Sequence, residues 1–377
     1  MSAIAAAPTA DSMVVDQQAI DRDVARMRSA LVLVGIGCLV LLPLVLNAIN
    51  KPSYLTASIN AVIFAMAGIS LVVLVGYVGQ VSLAQFAFMG IGALVVARVA
   101  PVVGFWPALP IAGLAAVPIG LMAALPALRL RGIYLAIATL GLSQVVEASI
   151  LVNQNIVGGT LIHLDPPSFL GQAFNASIQS RTTLYFVDLA IVAAAAVFTL
   201  ALRHRKTGLA FTAVRDSELA ASSVGINVAK YKLVAFALSS FYAGVAGGMY
   251  MVLSPDVQPR FFDALTGSVP LLIVLVVGGV TSIGGAILAS FLFALAPILL
   301  PQGLDAALTS LNLKQALKSI NLADLTFALF GVLLLRGLVT NQDGLVGMLD
   351  RNLRKLAARR QGRALTAGPA EPAPVEG

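Results

Sequence analysis

Charge, cysteine, histidine and tryptophan are all scarce in this chain of 377 residues. Only 11% of the residues are charged, and there are one cysteine, one tryptophan and two histidines. Soluble domains carry roughly 25% charged residues, so a soluble globular class is excluded. The lone Cys38 lies in an apolar run and has no intrachain partner for a disulfide, which leaves it a packing role. His163 and His204 sit in unrelated segments, which argues against a metal cluster. No G-x-x-x-x-G-K-[ST] phosphate loop occurs, so the chain is not expected to bind ATP itself in the usual way. G-x-S-x-G and H-E-x-x-H are missing as well, and a membrane enzyme finds no catalytic handle here.

What is abundant is apolar sequence, with 59% hydrophobic residues and a mean hydropathy of +0.93. Ten apolar segments stand out, at approximately 30–49, 54–75, 81–100, 107–128, 132–152, 183–202, 232–253, 264–280, 284–300 and 322–340. Only helices or closed barrels satisfy their backbone in lipid, and strand-like alternation is absent. The expected fold is an all-α polytopic membrane protein, a bundle of about ten transmembrane helices. The pairs 54–75/81–100 and 264–280/284–300 are joined by very short connections, which can hide broken or re-entrant helices. A cytoplasmic N-terminal segment 1–29 precedes the transmembrane domain, 30–350. A tail, 351–377, follows it and turns from basic to Ala/Pro/Gly/Glu low complexity. No small-x-small cleavage site clearly follows the first span, so that span is expected to be retained.

Cytoplasmic loops retain lysine and arginine, and this orients the bundle. With the N-terminus inside, most of the 24 basic residues fall on the cytoplasmic side, leaving Lys51, Arg98, Arg181, Arg260, Lys314 and Lys318 outside. Both termini are then cytoplasmic. Tyr54, Tyr77, Tyr134, Tyr185, Tyr231 and Trp106 lie near span ends, as interfacial aromatic belts require. The net charge of +7 is explained by these loops and the tail, which suit anionic lipid headgroups, and nucleic acid is not implied.

The longest internal cytoplasmic segment, 203–231, carries AVRDSELAASSVGINVAKYK at 213–232. After the basic cluster Arg203-His204-Arg205-Lys206, Thr207 and Gly208 are expected to break the helix. Asp216 suits an N-cap, Glu218 favours a helix N-terminus, and Gly225 suits the left-handed residue beyond a C-cap. The spacing predicts a short helix over 217–224. Isolated helices below about 12–15 residues are marginal in water, so packing must hold it. Its small Ala220, Ala221, Ser222 and Ser223 permit close approach of another surface. Two readings stand on composition: a docking element for a cytoplasmic partner, or a solvated loop with a helical turn.

The stretch GLAFTAVRDSELAASSVGINVAKYKLVAF resembles the cytoplasmic coupling loop of ABC-importer permeases, with Glu218-x-Ala220-Ala221-x3-Gly225 as its signature. Gly225-Ile226-Asn227 followed by Lys230-Tyr231-Lys232 is similar to the branched-chain amino acid permease family in particular. GYVGQVSLAQFAFMGIGA at 76–93, LRGIYLAIATLGLSQVVE at 130–147, VLVVGGVTSIGGAILAS at 274–290 and Arg336-Gly337-Leu338 point the same way. Where the family often reads Gly-His after Ser-Leu, this chain has Ala84-Gln85, so Gln85 offers a neutral hydrogen-bonding group. The resemblance implies a subunit in a bacterial plasma (inner) membrane that pairs with a second, homologous permease, two cytoplasmic ATPases that bind the ATP, and an external solute-binding protein. It implies that Arg215, Asp216, Glu218, Ala220, Ala221, Gly225 and Ile226 transfer energy from the ATPases. Branched-chain amino acids are the first solute it implies, with urea or short amides as the alternative.

Polar groups in membrane segments cost free energy and are candidates for a solute pathway. Gly79, Gln80, Ser82 and Gln85 open the third span, and Thr139, Ser143 and Glu147 share one face of the fifth by their spacing of four. Gly278 and Gly279 belong to a second glycine-rich interruption, and paired interruptions can mark a transporter's binding site. Small residues also let helices pack closely, which is the alternative for both interruptions. A stand-alone secondary carrier is a different class, and it would draw its ion-coupling carboxylates from Glu147, Asp188 and Asp324.

Overall fold

The computed structural model describes residues 24, 26–27, 31, 34–46, 52–164, 168–169, 172–173, 178–310, 344, 346–349 and 351–354. The described residues of Pro43–Gly344 form one unit, and those of Met1–Leu42 with Leu345–Gly377 form another. In that second unit Val24 and Leu353 are buried, while Val34, Ile36 and Leu41 are exposed. The expected tenth span, 322–340, and Arg336-Gly337-Leu338 lie outside the described residues, as do most of 1–29 and the end of the tail.

Among the described residues six helical segments are long and apolar enough to cross a membrane: Ser53–Tyr77, Gln85–Val103, Phe105–Ala127, Ile133–Leu151, Ser180–Arg203 and Val228–Leu253. Three shorter apolar ones are Val34–Leu46, Ala264–Gly278 and Ile283–Leu295. In chain order the helices are α1 (Val34–Leu46), α2 (Pro52–Leu71), α3 (Gln85–Val103), α4 (Phe105–Ala127), α5 (Ile133–Val146), α6 (Gln154–Val157), α7 (Ile178–Arg203), α8 (Lys206–Asp216), α9 (Glu218–Ser223), α10 (Val228–Leu253), α11 (Val269–Gly278) and α12 (Ile283–Ser310). Wider π turns extend α2 over Val72–Tyr77 and α5 over Glu147–Leu151, and another, Ala264–Ser268, leads into α11. Nine of the ten expected apolar segments therefore have helical counterparts, with edges shifted by a few residues.

Strands were not expected, and among the described residues four of two residues each occur outside the long helices. Ile162–His163 (β1) pairs antiparallel with Asp256–Val257 (β4), and Ser168–Phe169 (β2) with Gln172–Ala173 (β3). Two-residue pairs are too short to alter the all-α class.

α2 and its π turn are buried along nearly their whole length and form the central helix, whereas Ile133–Leu151 and Ser180–Arg203 keep most of their surface exposed. α10 packs against α3 and α4. A Cβ on Gly92 would collide with the Gly244 carbonyl, and one on Gly247 with the Met89 carbonyl. Lipid offers no hydrophobic drive for helix association, so this close contact depends on small residues and dispersion. Gly244 and Gly247 thus serve close helix packing.

Polar contacts gather at the two ends of the bundle and agree with alternating span direction. At one end Arg203 lies 5.6 Å over the Tyr77 ring, and Lys232 Nζ donates to the Ala127 carbonyl at 2.8 Å. At the other, Arg98 donates to the Ile156 carbonyl at 2.7 Å, and Arg181 to Thr56 Oγ1 at 2.6 Å.

Candidate coupling site

The segment 203–231 is mostly helical. α7 ends at Arg203, the chain turns through His204 and Arg205, and α8 begins at Lys206. The break thus falls before Thr207 and Gly208, which lie inside α8; a Cβ on Gly208 would strike the Arg203 backbone. α9 spans Glu218–Ser223, close to the expected 217–224, but its N-cap is Ser217, whose Oγ accepts from Ala220 N at 3.2 Å. Asp216 instead ends α8 and pairs with Arg215 at 3.2 Å. Ser217 wins because its extended backbone turns the chain between the two helices, while Asp216 is still helical.

The far end of α9 closes as a Schellman motif. Gly225 stands at φ +83°, Gly225 N donates to Ser222 O at 3.0 Å, and Ile226 N donates to Ala221 O at 3.0 Å. Asn227 then caps α10 by accepting from Lys230 N at 3.0 Å, so Lys230, Tyr231 and Lys232 lie in α10 and not in a loop.

α9 presents two different faces. Ala221 is 2% exposed, and Glu218 is turned toward the bundle with a side chain 13% exposed. Glu218 Oε1 pairs with Lys232 Nζ at 2.7 Å, where the lysine side chain is 1% exposed. Glu218 Oε2 pairs with Arg131 Nη2 at 2.8 Å. On the outer face Leu219 is 82% exposed and Val224 75%. Glu218 therefore fastens the helix to the bundle, and the exposed apolar residues are what a docking partner can reach. A cleft of about 310 Å³ beside them is lined by Leu128, Arg131, Leu219, Ser222, Val228 and Lys232 among others.

The inner face of this segment meets the interruption between α2 and α3. Arg215 Nη1 donates to the Gly76 carbonyl at 2.9 Å, and Gln80 Nε2 reaches Glu218 Oε1 at 3.5 Å. Gly79 adopts φ +73°, a region L side chains avoid, with the Arg215 side chain packed on it. Coupling candidates and pathway candidates thus share one network.

The interruption itself, residues 79–84, is non-helical backbone. Ser70, which contacts Gln85, lies six residues before Gly76, or about 9 Å along the helix, so this backbone enters the bundle. Non-helical backbone at membrane depth survives only where protein satisfies it. Gly79 N donates to Val75 O at 3.1 Å and Gln80 N to Leu74 O at 3.0 Å. Leu83 N donates to Thr139 Oγ1 at 3.0 Å, Ala84 N to Ser82 Oγ at 3.3 Å, and Phe86 N to Ser268 Oγ at 3.0 Å. Thr139 on α5 therefore braces the interruption itself, and Ser268 before α11 braces the first turn of α3 that follows it.

Gln85 is fully buried and links three helices. Its Oε1 accepts from Ser70 Oγ on α2 at 3.0 Å, and its Nε2 donates to Ser239 Oγ on α10 at 3.2 Å. Ser143 is buried with its Oγ unpaired, and Glu147 keeps one buried oxygen, Oε2, without a hydrogen-bond partner. Both lie well away from the coupling end, on the face of α5 that carries Thr139. Gly278 packs against the Gly285 backbone, and Gly279, at φ +111°, turns the chain toward α12. A Cβ on Gly76 would strike the Val280 carbonyl, so the two interruptions abut.

Sequence reading passed over Ser70, Ser239 and Ser268, because a lone serine in an apolar run gives no signal of its partner. Asp188, one of the carboxylates a secondary carrier would use, is buried inside α7 with both carboxyl oxygens unpaired. Asp263 was missed too: it caps the π turn before α11 and accepts from Gln144 Nε2 at 2.6 Å. Among the described residues no group of three or more potential metal ligands gathers.

The family described as branched-chain amino acid transport system / permease component matches residues 53–335. The high-affinity branched-chain amino acid transport system permease protein LivM of Escherichia coli (strain K12) is 33% identical over 253 residues, 61% of this chain and 59% of that protein. The protein of the same description from Salmonella typhimurium is 32% identical over 253 residues, with the same coverage. The probable branched-chain amino acid transport permease protein LivM of Methanocaldococcus jannaschii is 24% identical over 266 residues, 70% of this chain and 71% of that protein. The chain spans less than two thirds of the length of the first two relatives. No solved structure matches.

Proposed function

The chain belongs to the branched-chain amino acid transport permease family, and from that premise we propose that it is the membrane subunit of an ATP-driven importer of branched-chain amino acids. It sits as a multi-pass protein in a bacterial plasma membrane with both termini in the cytoplasm. Its partners are a second, homologous permease, two cytoplasmic ATPases that supply the ATP-binding sites, and an external solute-binding protein. The chain itself carries out no chemical conversion.

The observation that carries this reading is the pair of contacts joining the α8–α9 segment to the interruption after α2: Arg215 to the Gly76 carbonyl, and Glu218 to Gln80. An ATPase that engages Leu219 and Val224 moves α9 as a rigid piece, because the helix is capped at both ends. Arg215 and Glu218 pass that movement to residues 79–84. Thr139 is bonded to Leu83 within that stretch and Ser268 to Phe86 in the first turn of α3 just beyond it, so α5 and the entry to α11 shift with it. A pathway bordered by Gly79, Gln80, Ser82, Thr139, Ser143 and Glu147 then opens to one side at a time, with the solute held between this chain and its paired permease.

Glu218→Arg tests the reading, since it places a third cation beside Lys232 and Arg131. Leucine uptake into vesicles carrying the full complex is expected to fall to background. Normal uptake by this variant, with no ATPase subunit added, would mean a stand-alone carrier instead.

A further inference from the structure

Near the end of the bundle opposite α9, two carboxyl groups face each other. Glu147 opens the π turn that extends α5, and Asp263 caps the one that leads into α11. Asp263 lies within interaction distance of Glu147, with Arg260 nearby. Asp263 is itself held in place: Oδ1 accepts from Gln144 Nε2 at 2.6 Å, and Oδ2 accepts from the Thr266 backbone N and Oγ1, each at 3.2 Å. Tyr250 stacks on Phe261 at 4.5 Å and fixes the turn that carries Arg260 and Asp263.

Glu147 lies fourteen residues beyond Ile133, or about 21 Å along the helix, so it is well inside a hydrocarbon core of about 30 Å. Charged side chains at that depth are costly against lipid and face a cavity or a partner. Like charges held side by side repel unless a cation or a shared proton intervenes. One turn inward on the same face, Ser143 is 1% exposed and its Oγ has no hydrogen-bond partner. Glu147 Oε2 is equally unpaired. An alkylammonium has three N–H donors and no acceptor. Glu147, Asp263 and Ser143 offer three acceptors, and Arg260 supplies the opposite charge beside them.

We propose that Glu147, Asp263 and Ser143 bind the α-ammonium of a zwitterionic amino acid on the outer side of the bundle, with Arg260 toward its carboxylate. The site rests on the importer reading above and deepens it. It selects for the shared head group of free amino acids, and leaves the side chain to other surfaces. Neutral amides and urea lack the ammonium and gain nothing from it.

The test uses the purified complex of this chain with its permease and ATPase partners. Binding of radiolabelled L-leucine is measured without the external binding protein, with isoamylamine and 4-methylpentanoate as competitors lacking one charge each. Wild type is expected to bind leucine at least tenfold tighter than either competitor. Glu147→Gln and Asp263→Asn are each expected to weaken leucine about tenfold or more, as loss of a hydrogen bond to a charged group does. Neither should alter isoamylamine less than 4-methylpentanoate. Should Glu147→Gln fail to assemble, Asp263→Asn and Arg260→Gln carry the test, the latter weakening 4-methylpentanoate selectively. Unchanged leucine affinity in the assembled variants overturns the site while leaving the importer intact. A wild-type complex that takes up urea or acetamide and not leucine overturns the solute reading itself.

Discussion

Arg215 reaches from the end of α8 to the Gly76 carbonyl, 2.9 Å away, and so ties the α8–α9 segment to the point where the central helix stops. The carbonyl belongs to the π turn of Val72–Tyr77, and beyond it the chain runs non-helically to α3. One side chain thus joins the α8–α9 segment to the π turn that ends the central helix.

Arg215→Gln removes the charge from this contact and shortens the reach. Hydrogen bonds to charged groups contribute about 1.5–3 kcal/mol, so a local loosening of that size is expected. The variant complex should assemble and hydrolyse ATP, while leucine uptake per ATP falls about tenfold. Matched loss of uptake and hydrolysis would show a folding defect in place of uncoupling.

Glu218 and Lys232 form the pair with the most at stake, because the lysine side chain is 1% exposed. Breaking a buried ion pair by removing one partner costs about 3–5 kcal/mol, whereas an exposed pair such as that with Arg131 contributes about 0–1 kcal/mol. Glu218→Gln and Lys232→Met should each lower thermal stability of the purified chain more than Arg131→Gln does. The double variant should recover much of the loss, since no uncompensated charge remains buried. Additive losses in the double-mutant cycle would deny the coupling.

The outer face of α9 calls for a different outcome. Leu219 and Val224 are highly exposed and touch none of the contacts that hold the helix down. Leu219→Asp and Val224→Asp are expected to change the stability of the isolated chain by no more than about 0.5 kcal/mol, as for ordinary surface positions. Co-purification of the ATPase should drop sharply in both. Retained ATPase binding would move the docking surface elsewhere.

Much of this arrangement was legible in the residues, and the limits have physical causes. Apolar length marked the helices, because burial acts on composition. Gly225 announced the end of α9, since a left-handed residue there selects for glycine. Asp216 misled, because Asp and Ser are similar N-caps and only the backbone decides between neighbours. The meeting of Glu218 with Gln80 was beyond reach: 138 positions separate them, and neither residue type specifies the other. The same is true of Asp263, whose partner Gln144 lies 119 residues away.

Thr139 offers the sharpest check on the interruption, because it supplies what the missing helix would have supplied. Its Oγ1 accepts from Leu83 N at 3.0 Å while donating to the Ala136 carbonyl at 3.0 Å. Thr139→Val keeps the shape and leaves the part-buried Leu83 N–H without its acceptor, at a cost of up to about 1–3 kcal/mol. Thr139→Ser keeps the hydroxyl and should behave nearly as wild type. If the stretch 79–84 moves during transport, the valine variant should also shift the balance between inward- and outward-open states, visible as a changed rate of cysteine labelling at Ser82→Cys. Equal labelling in the valine and serine variants would mean that Thr139 stabilises the fold without steering its motion.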